Sequence, residues 1–432
     1  MLSQIKISNN RTLIVNILLC LIPMSFIAGN LFINLNIIFL VLTTFVLYLD
    51  EIQNFKLNIL DKIIIIFFVF IFFTLSFNYF ESYLDKNSLP TGIIKKTFLY
   101  SRYFFLYISL RVLTFNNELK LNWFFIISSF CVIFVCIDII FQFYFEKNIF
   151  GIVPATTRRL SGLFGDELIA GGYIQRFSIF AILLPIILNI KNYLNKYFLI
   201  VIISFISLIG IILSGNKMPF FLFLFSILLM SCITLNYKKI ILILLCLILT
   251  IGLFNKKNIN FQNNLSKFGS TTNNFINTFI YNYQDVNSAV AKSVAKSQAP
   301  YVAEFYGAYI TWKKNIYLGG GLKSFRFNCA NCGTHPHNYY LEFLTDLGLV
   351  GLFVASSLFF YVCFITLKTK NIFKLNLNLG IYILAFFIIF ITEFFPIRSS
   401  GSFFSTSNSA FIFLCLGILG SLVEKAKTNV VK

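Results

Sequence analysis

Long apolar runs separated by short polar stretches dominate the sequence. A helix that crosses a membrane needs about 20 mainly apolar residues, and runs of that size recur along the chain. They lie at residues 13–30, 32–49, 63–80, 98–115, 123–144, 173–190, 197–214, 218–235, 239–254, 345–367, 378–397 and 403–423. The pattern therefore predicts an all-α, polytopic integral membrane protein with about 12 transmembrane helices.

Two longer polar segments interrupt the apolar runs. The first covers residues 145–172, and the second, 255–344, is the only one large enough to form a small domain. We therefore divide the chain into transmembrane helices 1–9 in residues 1–254, a loop domain in residues 255–344, and helices 10–12 with a tail in residues 345–432.

Basic residues in the short loops predict the orientation of these helices, because cytoplasmic loops carry an excess of Lys and Arg. With a cytoplasmic N-terminus, the cytoplasmic loops and tail contain Lys191, Lys196, Lys238, Lys239, Lys368, Lys370, Lys374, Lys425, Lys427 and Lys432. The first apolar run lacks a clear small-residue cleavage site, so we expect it to be a span rather than a signal peptide. We therefore expect both termini in the cytoplasm and residues 255–344 on the outer, periplasmic side.

Composition narrows the class of protein. The chain is 58% hydrophobic and 12% charged, with a mean hydropathy of +0.82, which excludes a soluble globular domain. The formal net charge of +19 would indicate nucleic acid in a soluble protein. Here it suits topology-setting loops and sites for anionic, lipid-linked ligands, so we expect membrane lipids and no nucleic acid among the partners.

A compact polar segment, Cys329–Glu342, contains the only two histidines of the protein, His335 and His337. Pro336 suits the first turn of a helix, with Thr334 or His335 as its cap. That helix would continue into the next apolar run. His337 would then lie beside the positive end of the helix dipole, which favours a neutral imidazole that can act as a general base.

Polar side chains continue along this helix. Asn338, Glu342 and Asp346 follow one another at a spacing of four residues, on a face next to that of His337. Glu342 could orient a substrate hydroxyl or a histidine; the alternative is that the two carboxylates form the solvated face of an emerging helix. Gly348 and Gly351 would allow close helix packing.

Cys329 and Cys332 are the cysteines that this topology places on the outer side. In an oxidising compartment we expect them to form a short disulfide that rigidifies the histidine segment. Zinc is an alternative, because the two cysteines and two histidines follow a C-x2-C-x2-H-x-H pattern, and a redox-active C-x-x-C is another. The loop is very tight for four tetrahedral ligands, so we expect no metal.

Residues 319–324, Gly-Gly-Gly-Leu-Lys-Ser, superficially resemble a phosphate-binding P-loop. Leu322 separates the glycines from Lys323, which breaks the spacing that a P-loop requires. The segment also lies on the side away from the ATP-containing compartment. We therefore interpret it as a flexible turn.

Four basic residues on the outer side are candidates for binding an anionic substrate: Arg159, Lys217, Arg326 and Arg398. Basic residues within a membrane are costly and tend to be functional. Arginine binds phosphate oxygens in a bidentate manner and lysine binds them as a point charge. The alternative for each is a contact with anionic lipid headgroups. Arg158 and Arg176 are secondary candidates.

The pair His337-Asn338, followed after nine residues by Gly348-Leu-Val-Gly351, resembles the signature of the O-antigen ligase and polymerase superfamily. Leu352 stands where members often have Gly, Thr or Val. The run from Trp312 to His337 is similar to a subgroup of these proteins. About twelve spans with one large outer loop before the histidine helix also resemble the architecture of the family.

Two of the basic candidates also lie in segments similar to this family. Arg159 begins Arg-Leu-Ser-Gly, which resembles the family's Arg-x-Ser-Gly segment, and Lys217 stands where members usually carry Arg. Where the family tends to place a basic residue or His, upstream of Trp312, the chain has Tyr301 and Glu304.

The resemblance implies a bacterial inner-membrane glycosyltransferase whose active site is periplasmic. The donor would be a glycan linked to undecaprenyl diphosphate, and the acceptor the lipid A-core or another glycan. His337 would deprotonate the acceptor hydroxyl in an inverting reaction, with no nucleotide, metal or other cofactor. The residues that would bind substrate are Arg159, Lys217, Arg326, Arg398, His335, Asn338 and Glu342.

Other functions stay open at this point. Within the same superfamily, a polymerase would transfer a growing chain to another lipid-linked repeat. A transporter of lipid-linked oligosaccharides would also need basic residues in the membrane. Transporters commonly show internal repeats with broken helices in matched halves, and we find no such repeat in the sequence.

Overall fold

The computed structural model describes residues 2–84, 89–154, 159–234, 300–329, 332–369, 376–398 and 401–431. Within these ranges the protein is helical and has no β-strand. The predicted span at 239–254 and the part of the predicted loop domain up to residue 299 lie outside the described residues, as does Arg158.

The helices begin with three that follow one another closely, α1 (Leu2–Ala28), α2 (Asn30–Leu47) and the short α3 (Leu49–Gln53). The next are α4 (Ile59–Leu84), α5 (Thr91–Tyr100), α6 (Arg102–Phe115), α7 (Leu121–Phe145), α8 (Ala170–Ile187), α9 (Tyr193–Leu213) and α10 (Lys217–Thr234). The last are α11 (Pro300–Lys314), α12 (Phe325–Asn328), α13 (Tyr339–Leu367), α14 (Leu377–Glu393) and α15 (Thr406–Val431).

Eight of the described helices are long and apolar enough to cross a membrane: α1, α2, α4, α7, α8, α9, α13 and α15. Helices α10 and α14 are shorter apolar helices. The described residues thus form a polytopic, all-helical membrane protein, while the predicted count of about 12 spans stays a prediction.

The predicted span at 98–115 differs from the structure, which has two short helices there, α5 and α6. They meet at Ser101, whose N–H and hydroxyl both donate to the carbonyl of Phe98, at 3.2 and 2.7 Å. A bond to the residue three positions earlier winds the chain more tightly than an α-helix does. The side chain and backbone of Ser101 therefore separate the two helices.

A buried ion network holds α4, α6 and α15 together. Arg111 is fully buried and contacts Asp61 (Nε to Oδ1, 2.8 Å) and Glu424 (Nη2 to Oε2, 2.7 Å). Its Nη1 also donates to Ser421 at 2.8 Å, and Tyr107 donates to Asp61. A guanidinium removed from water needs such a set of partners, because an unpaired buried charge is very costly.

This network marks one end of the helix bundle, where α4 begins and α15 ends. At the other end α13 and α15 begin and α14 ends; we call it the histidine end, because it carries His335 and His337. Aromatic packing supports the start of α13 there: the Phe343 ring lies 4.7 Å from that of Phe403 and 6.4 Å from that of Phe67. Such pairs add stability beyond the apolar area that they bury.

Candidate functional site

Helix α13 begins at Tyr339, and Asn338 is its N-cap. The Asn338 Oδ1 accepts hydrogen bonds from the N–H groups of Tyr340 (2.9 Å) and Leu341 (3.3 Å). The prediction that the helix starts at Pro336, capped by Thr334 or His335, is therefore wrong. Asparagine is among the best N-cap residues, and its extended backbone (φ −145°, ψ 132°) ends the irregular segment before the helix.

His337 lies just before this cap and not in the first turn of the helix. Its backbone has φ = 54°, in the left-handed region that non-glycine residues rarely occupy. Its side chain is 34% exposed, and its Nε2 lies 3.5 Å from Oε1 of Glu304 on α11. Strained backbone of this kind is concentrated at functional sites, where the surrounding contacts hold it.

The two histidine rings lie against each other, with centroids 4.1 Å apart. The Nδ1 of His335 is 3.0 Å from the Thr334 hydroxyl, and its buried Nε2 has no hydrogen-bond partner among the described residues. Burial, with the charges of His337, Lys323 and Arg326, lowers the pKa of His335 to about 4. A group with that pKa is a poor proton acceptor near neutral pH.

The structure joins Cys329 and Cys332 in a disulfide, with their Cα atoms 5.4 Å apart. The bond occupies both sulfurs, so they are not the free thiolates that the zinc alternative requires. Gly307 of α11 faces the disulfide so closely that a Cβ there would lie 2.3 Å from Sγ of Cys332. The disulfide thus docks the histidine segment onto α11.

The glycine segment at 319–321 is fixed, and the expectation of a flexible turn is wrong. The N–H groups of Gly320 and Gly321 donate to the carbonyls of Thr345 and Asp346, at 3.0 and 2.9 Å. A Cβ on Gly319 would lie 2.5 Å from the backbone of Asp346 and Leu347, so this close approach requires glycine.

Helix α13 is interrupted at Gly348, where the glycine segment docks. Gly348 has φ = 67° and ψ = −166°, and a Cβ there would lie 2.2 Å from the carbonyl oxygen of Tyr317. Beyond the break, the N–H groups of Leu349 and Val350 donate to Ile316 and Tyr317. Gly348 therefore allows the kink in α13 and the close approach of the loop, rather than the helix packing predicted for it.

Glu342 and Asp346 are both buried, so the alternative of a solvated helix face is wrong. Asp346 accepts hydrogen bonds from the N–H of Lys323 (2.6 Å) and the hydroxyl of Ser324 (3.3 Å). Glu342 accepts them from the hydroxyl of Ser402 and from the N–H of Phe403 (2.6 Å). The two carboxylates anchor chain segments on either side of α13.

Arg398, in the segment after α14, lies in a buried cluster with Glu393, the last residue of α14, and Arg176 of α8. Its Nη1 contacts Oε1 of Glu393 at 2.8 Å. Both Nε and Nη2 of Arg176 donate to the same carboxylate, each at 2.8 Å. Arg176 also donates to Asn408. Two guanidinium groups and one carboxylate leave the cluster with a formal charge of +1. Glu393 was not among the predicted site residues, although an ionisable residue that ends an apolar run is a general signal of function.

The charged cluster is connected to the histidine segment. Nδ2 of Asn338 donates to the carbonyl of Pro396 at 2.8 Å, two residues before Arg398. The hydroxyl of Tyr340 donates to the carbonyl of Phe394 at 2.6 Å. The end of α14 is thus fastened to the start of α13, which fixes Arg398 relative to His337.

Arg159 and Lys217 come to the same end of the bundle. The N–H of Leu160 lies 3.5 Å from the carbonyl of Leu213, which places Arg159 beside the turn that leads into Lys217, the first residue of α10. Nδ2 of Asn216 in this turn donates to the carbonyl of Leu168, just before α8, at 2.9 Å. The turn therefore joins the start of α8 to the start of α10.

Arg326 and Lys323 add positive charge next to the histidines. Arg326 is exposed on α12, and its charge is one of those that lower the pKa of His335. Lys323 is partly buried, and burial, with the nearby charges of Arg326 and Lys96, lowers its pKa against the opposing effect of Glu342. Lys323 was not among the predicted site residues, because it belongs to residues 319–324, whose spacing does not fit a P-loop.

Residues 202–356 match the protein family described as O-antigen ligase. This match, over about a third of the chain, confirms the resemblance to the O-antigen ligase superfamily in that part of the sequence. No curated protein matches the chain.

The O-antigen ligase match encloses the histidine segment and part of the basic residues. Within it lie Lys217, Arg326, His335, His337, Asn338 and Glu342, together with Glu304 and the disulfide. Arg159 and Arg398 lie outside the matched residues, and the structure places them at the histidine end through the contacts of Leu160 and Glu393. The family match thus covers the histidine segment, and the structure places two further cations, Arg159 and Arg398, at the same end of the bundle.

Proposed function

We propose that the protein is an O-antigen ligase-like glycosyltransferase that transfers a glycan from undecaprenyl diphosphate to an acceptor hydroxyl, with the lipid A-core as the acceptor. The observation that carries the proposal is the family match at 202–356, which includes His337. The position of His337 supports it, since the side chain is partly exposed at the head of a long apolar helix. A base at this position can meet a lipid-linked donor and a water-soluble acceptor.

In the proposed reaction, His337 takes the proton of the acceptor hydroxyl as that oxygen attacks the anomeric carbon. A new glycosidic bond forms, the bond between the anomeric carbon and the diphosphate oxygen breaks, and the anomeric configuration is inverted. The departing undecaprenyl diphosphate carries the electron pair and the negative charge. Because the diphosphate linkage is already activated, the proposal includes no nucleotide, metal or other cofactor.

Cationic side chains at the histidine end would stabilise the departing diphosphate. Charge develops on its oxygens in the transition state, where fixed cations are most effective. The proposed contacts to the diphosphate are Arg159, Lys217, Arg326 and Arg398. His335, Asn338 and Glu342 are the other residues proposed to bind substrate. The formal charge of +1 on the Arg176–Glu393–Arg398 cluster supports this role for Arg398.

We further propose that the protein lies in the bacterial inner membrane, with cytoplasmic termini and a periplasmic histidine end. The lysine-rich short loops support this orientation, because such loops stay in the cytoplasm. A periplasmic site is also where an oxidising environment maintains the Cys329–Cys332 disulfide.

A deletion strain tests the proposed acceptor. Loss of a ligase leaves the lipid A-core without polymer, and complementation with the wild-type gene restores it. Loss of a polymerase of the same superfamily instead leaves a single repeat on the core. An unchanged lipopolysaccharide pattern, with normal levels of all cell-surface glycans, contradicts the proposed function.

A further inference from the structure

Glu304 meets the histidine segment from the neighbouring helix α11. Its Oε1 lies 3.5 Å from Nε2 of His337, and the carboxylate is only 19% exposed. Gly333 packs against the same oxygen: a Cβ on Gly333 would lie 3.2 Å from Oε1 of Glu304. The other oxygen, Oε2, is buried and finds no hydrogen-bond partner in the described part of the chain.

We propose that Glu304 is a positioning residue for His337: its carboxylate holds the proton on Nε2, orients the ring, and stabilises the imidazolium that forms during transfer. The inference rests on the proposed function, in which His337 is the base. With the Nε2 proton directed at Glu304, the lone pair of the neutral ring is on Nδ1. The proton of the acceptor hydroxyl goes to Nδ1 and is later released to solvent.

The charges around the site explain why a carboxylate is needed. The positive charges of Lys323 and Arg326 act on His335, whose ring lies against that of His337. These cations favour the binding of a diphosphate, but they oppose the formation of a further positive charge on the imidazole of His337. A carboxylate in contact with His337 offsets that repulsion, as it does for the histidine of a catalytic triad.

The electrostatics of Glu304 agree with this pairing. Burial raises the pKa of the Glu304 carboxyl, and a charge on His337 acts to lower it again. A protonated His337 and an ionised Glu304 therefore stabilise each other. The 3.5 Å separation is long for a hydrogen bond, but catalytic hydrogen bonds often shorten only when the substrate is bound.

The disulfide keeps the two partners together. Gly307 is three residues after Glu304, so both lie on one face of α11. Gly307 faces both sulfurs of the disulfide, which a Cβ there would meet at 2.3 and 3.2 Å, while Glu304 contacts His337. Two contacts, one turn of helix apart, thus fix α11 against the segment that carries the base.

The test compares Glu304→Gln, Glu304→Asp and His337→Ala in purified full-length protein, with undecaprenyl-diphosphate-linked glycan as donor. Glu167→Gln is the matched control, because Glu167 is an exposed carboxylate just before α8. We expect Glu304→Gln to lower kcat at least about 10-fold with a smaller change in KM, and Glu304→Asp to retain more activity. Glu167→Gln keeps the wild-type kcat.

The pH profile separates positioning from a purely structural role. Removing the anion makes the imidazolium less stable, so the acidic limb of the kcat profile moves to lower pH in Glu304→Gln. In the double variant with His337→Ala, the Glu304 substitution causes no further loss. A wild-type kcat in Glu304→Gln overturns the inference, and so does a lowered kcat with an unchanged profile. If His337→Ala keeps wild-type activity, the proposed function fails as well.

Discussion

Gly307 lies directly against the sulfur of Cys332: a Cβ on Gly307 would be 2.3 Å from Sγ of Cys332 and 3.2 Å from Sγ of Cys329. Contacts below 3 Å force something to move, and here the neighbours are two bonded sulfurs rather than a flexible side chain. The size of this one residue therefore sets the distance between α11 and the histidine segment.

Gly307→Ala is expected to lower glycan transfer at least about 10-fold. The added methyl group displaces the disulfide, and with it Gly333 and the contact between His337 and Glu304. Helix propensity alone would predict a more stable α11, since Ala stabilises a helix by about 1 kcal/mol relative to Gly. Transfer assays on purified protein give the measurement. Gly172→Ala in α8 is the control, because a Cβ there meets nothing within 4 Å. Equal, wild-type transfer by both variants contradicts the prediction.

Glu393→Gln is expected to destabilise the protein by about 3–5 kcal/mol, because it leaves two buried guanidinium groups without their shared carboxylate. Arg176 and Arg398 are each 8% exposed and both contact Glu393. Thermal unfolding in detergent measures the loss. Adding Arg398→Gln to Glu393→Gln should recover part of it, whereas a loss that only deepens in the double variant argues against the charge imbalance as its cause.

Asp346→Ala is expected to release the glycine segment. The N–H of Lys323 and the hydroxyl of Ser324 lose their acceptor, at a cost of about 1–3 kcal/mol for the buried groups left unpaired. Asp346→Asn keeps an acceptor oxygen and should cost less. Limited proteolysis around residues 319–324 reports the release, and equal resistance of the wild type and Asp346→Ala would refute this anchor.

Acidification should destabilise the histidine end through His335. The pKa of His335 falls from its ordinary 6.5 to about 4 in the folded protein, so the unfolded chain binds more protons between these values. The contribution of His335 to stability is therefore intact above about pH 6.5 and falls as the pH drops towards 4. Melting temperatures measured across this range should fall more steeply for the wild type than for His335→Gln. Parallel curves for the two proteins would show that His335 does not titrate in this way.

Apolar length and periodicity predicted the membrane helices, because a span is defined by local composition. The runs at 32–49 and 123–144 became α2 and α7 with small changes of boundary, and the run at 403–423 became most of α15, which continues to Val431. The run at 98–115 became two helices, since Ser101 bonds back to Phe98, a local choice that average hydropathy does not register.

The details of the candidate site were harder to predict. Both Pro336 and Asn338 carry helix-start signals, and the choice depended on Asn338 bonding to Pro396, which is 58 residues away. Glu304 and Glu393 were missed as partners because their contacts, with His337 and with Arg176, join distant parts of the chain. Pairings of this kind are fixed by packing and have no fixed spacing in sequence.

The turnover of purified His337→Ala with undecaprenyl-diphosphate-linked glycan and the lipid A-core tests most directly whether His337 is the base of a glycosyl transfer. General bases contribute a factor of about 10²–10⁴ to the rate. We predict that kcat falls by an amount in this range while the melting temperature stays within a few degrees of the wild type. A wild-type kcat in His337→Ala would show that His337 is not the base.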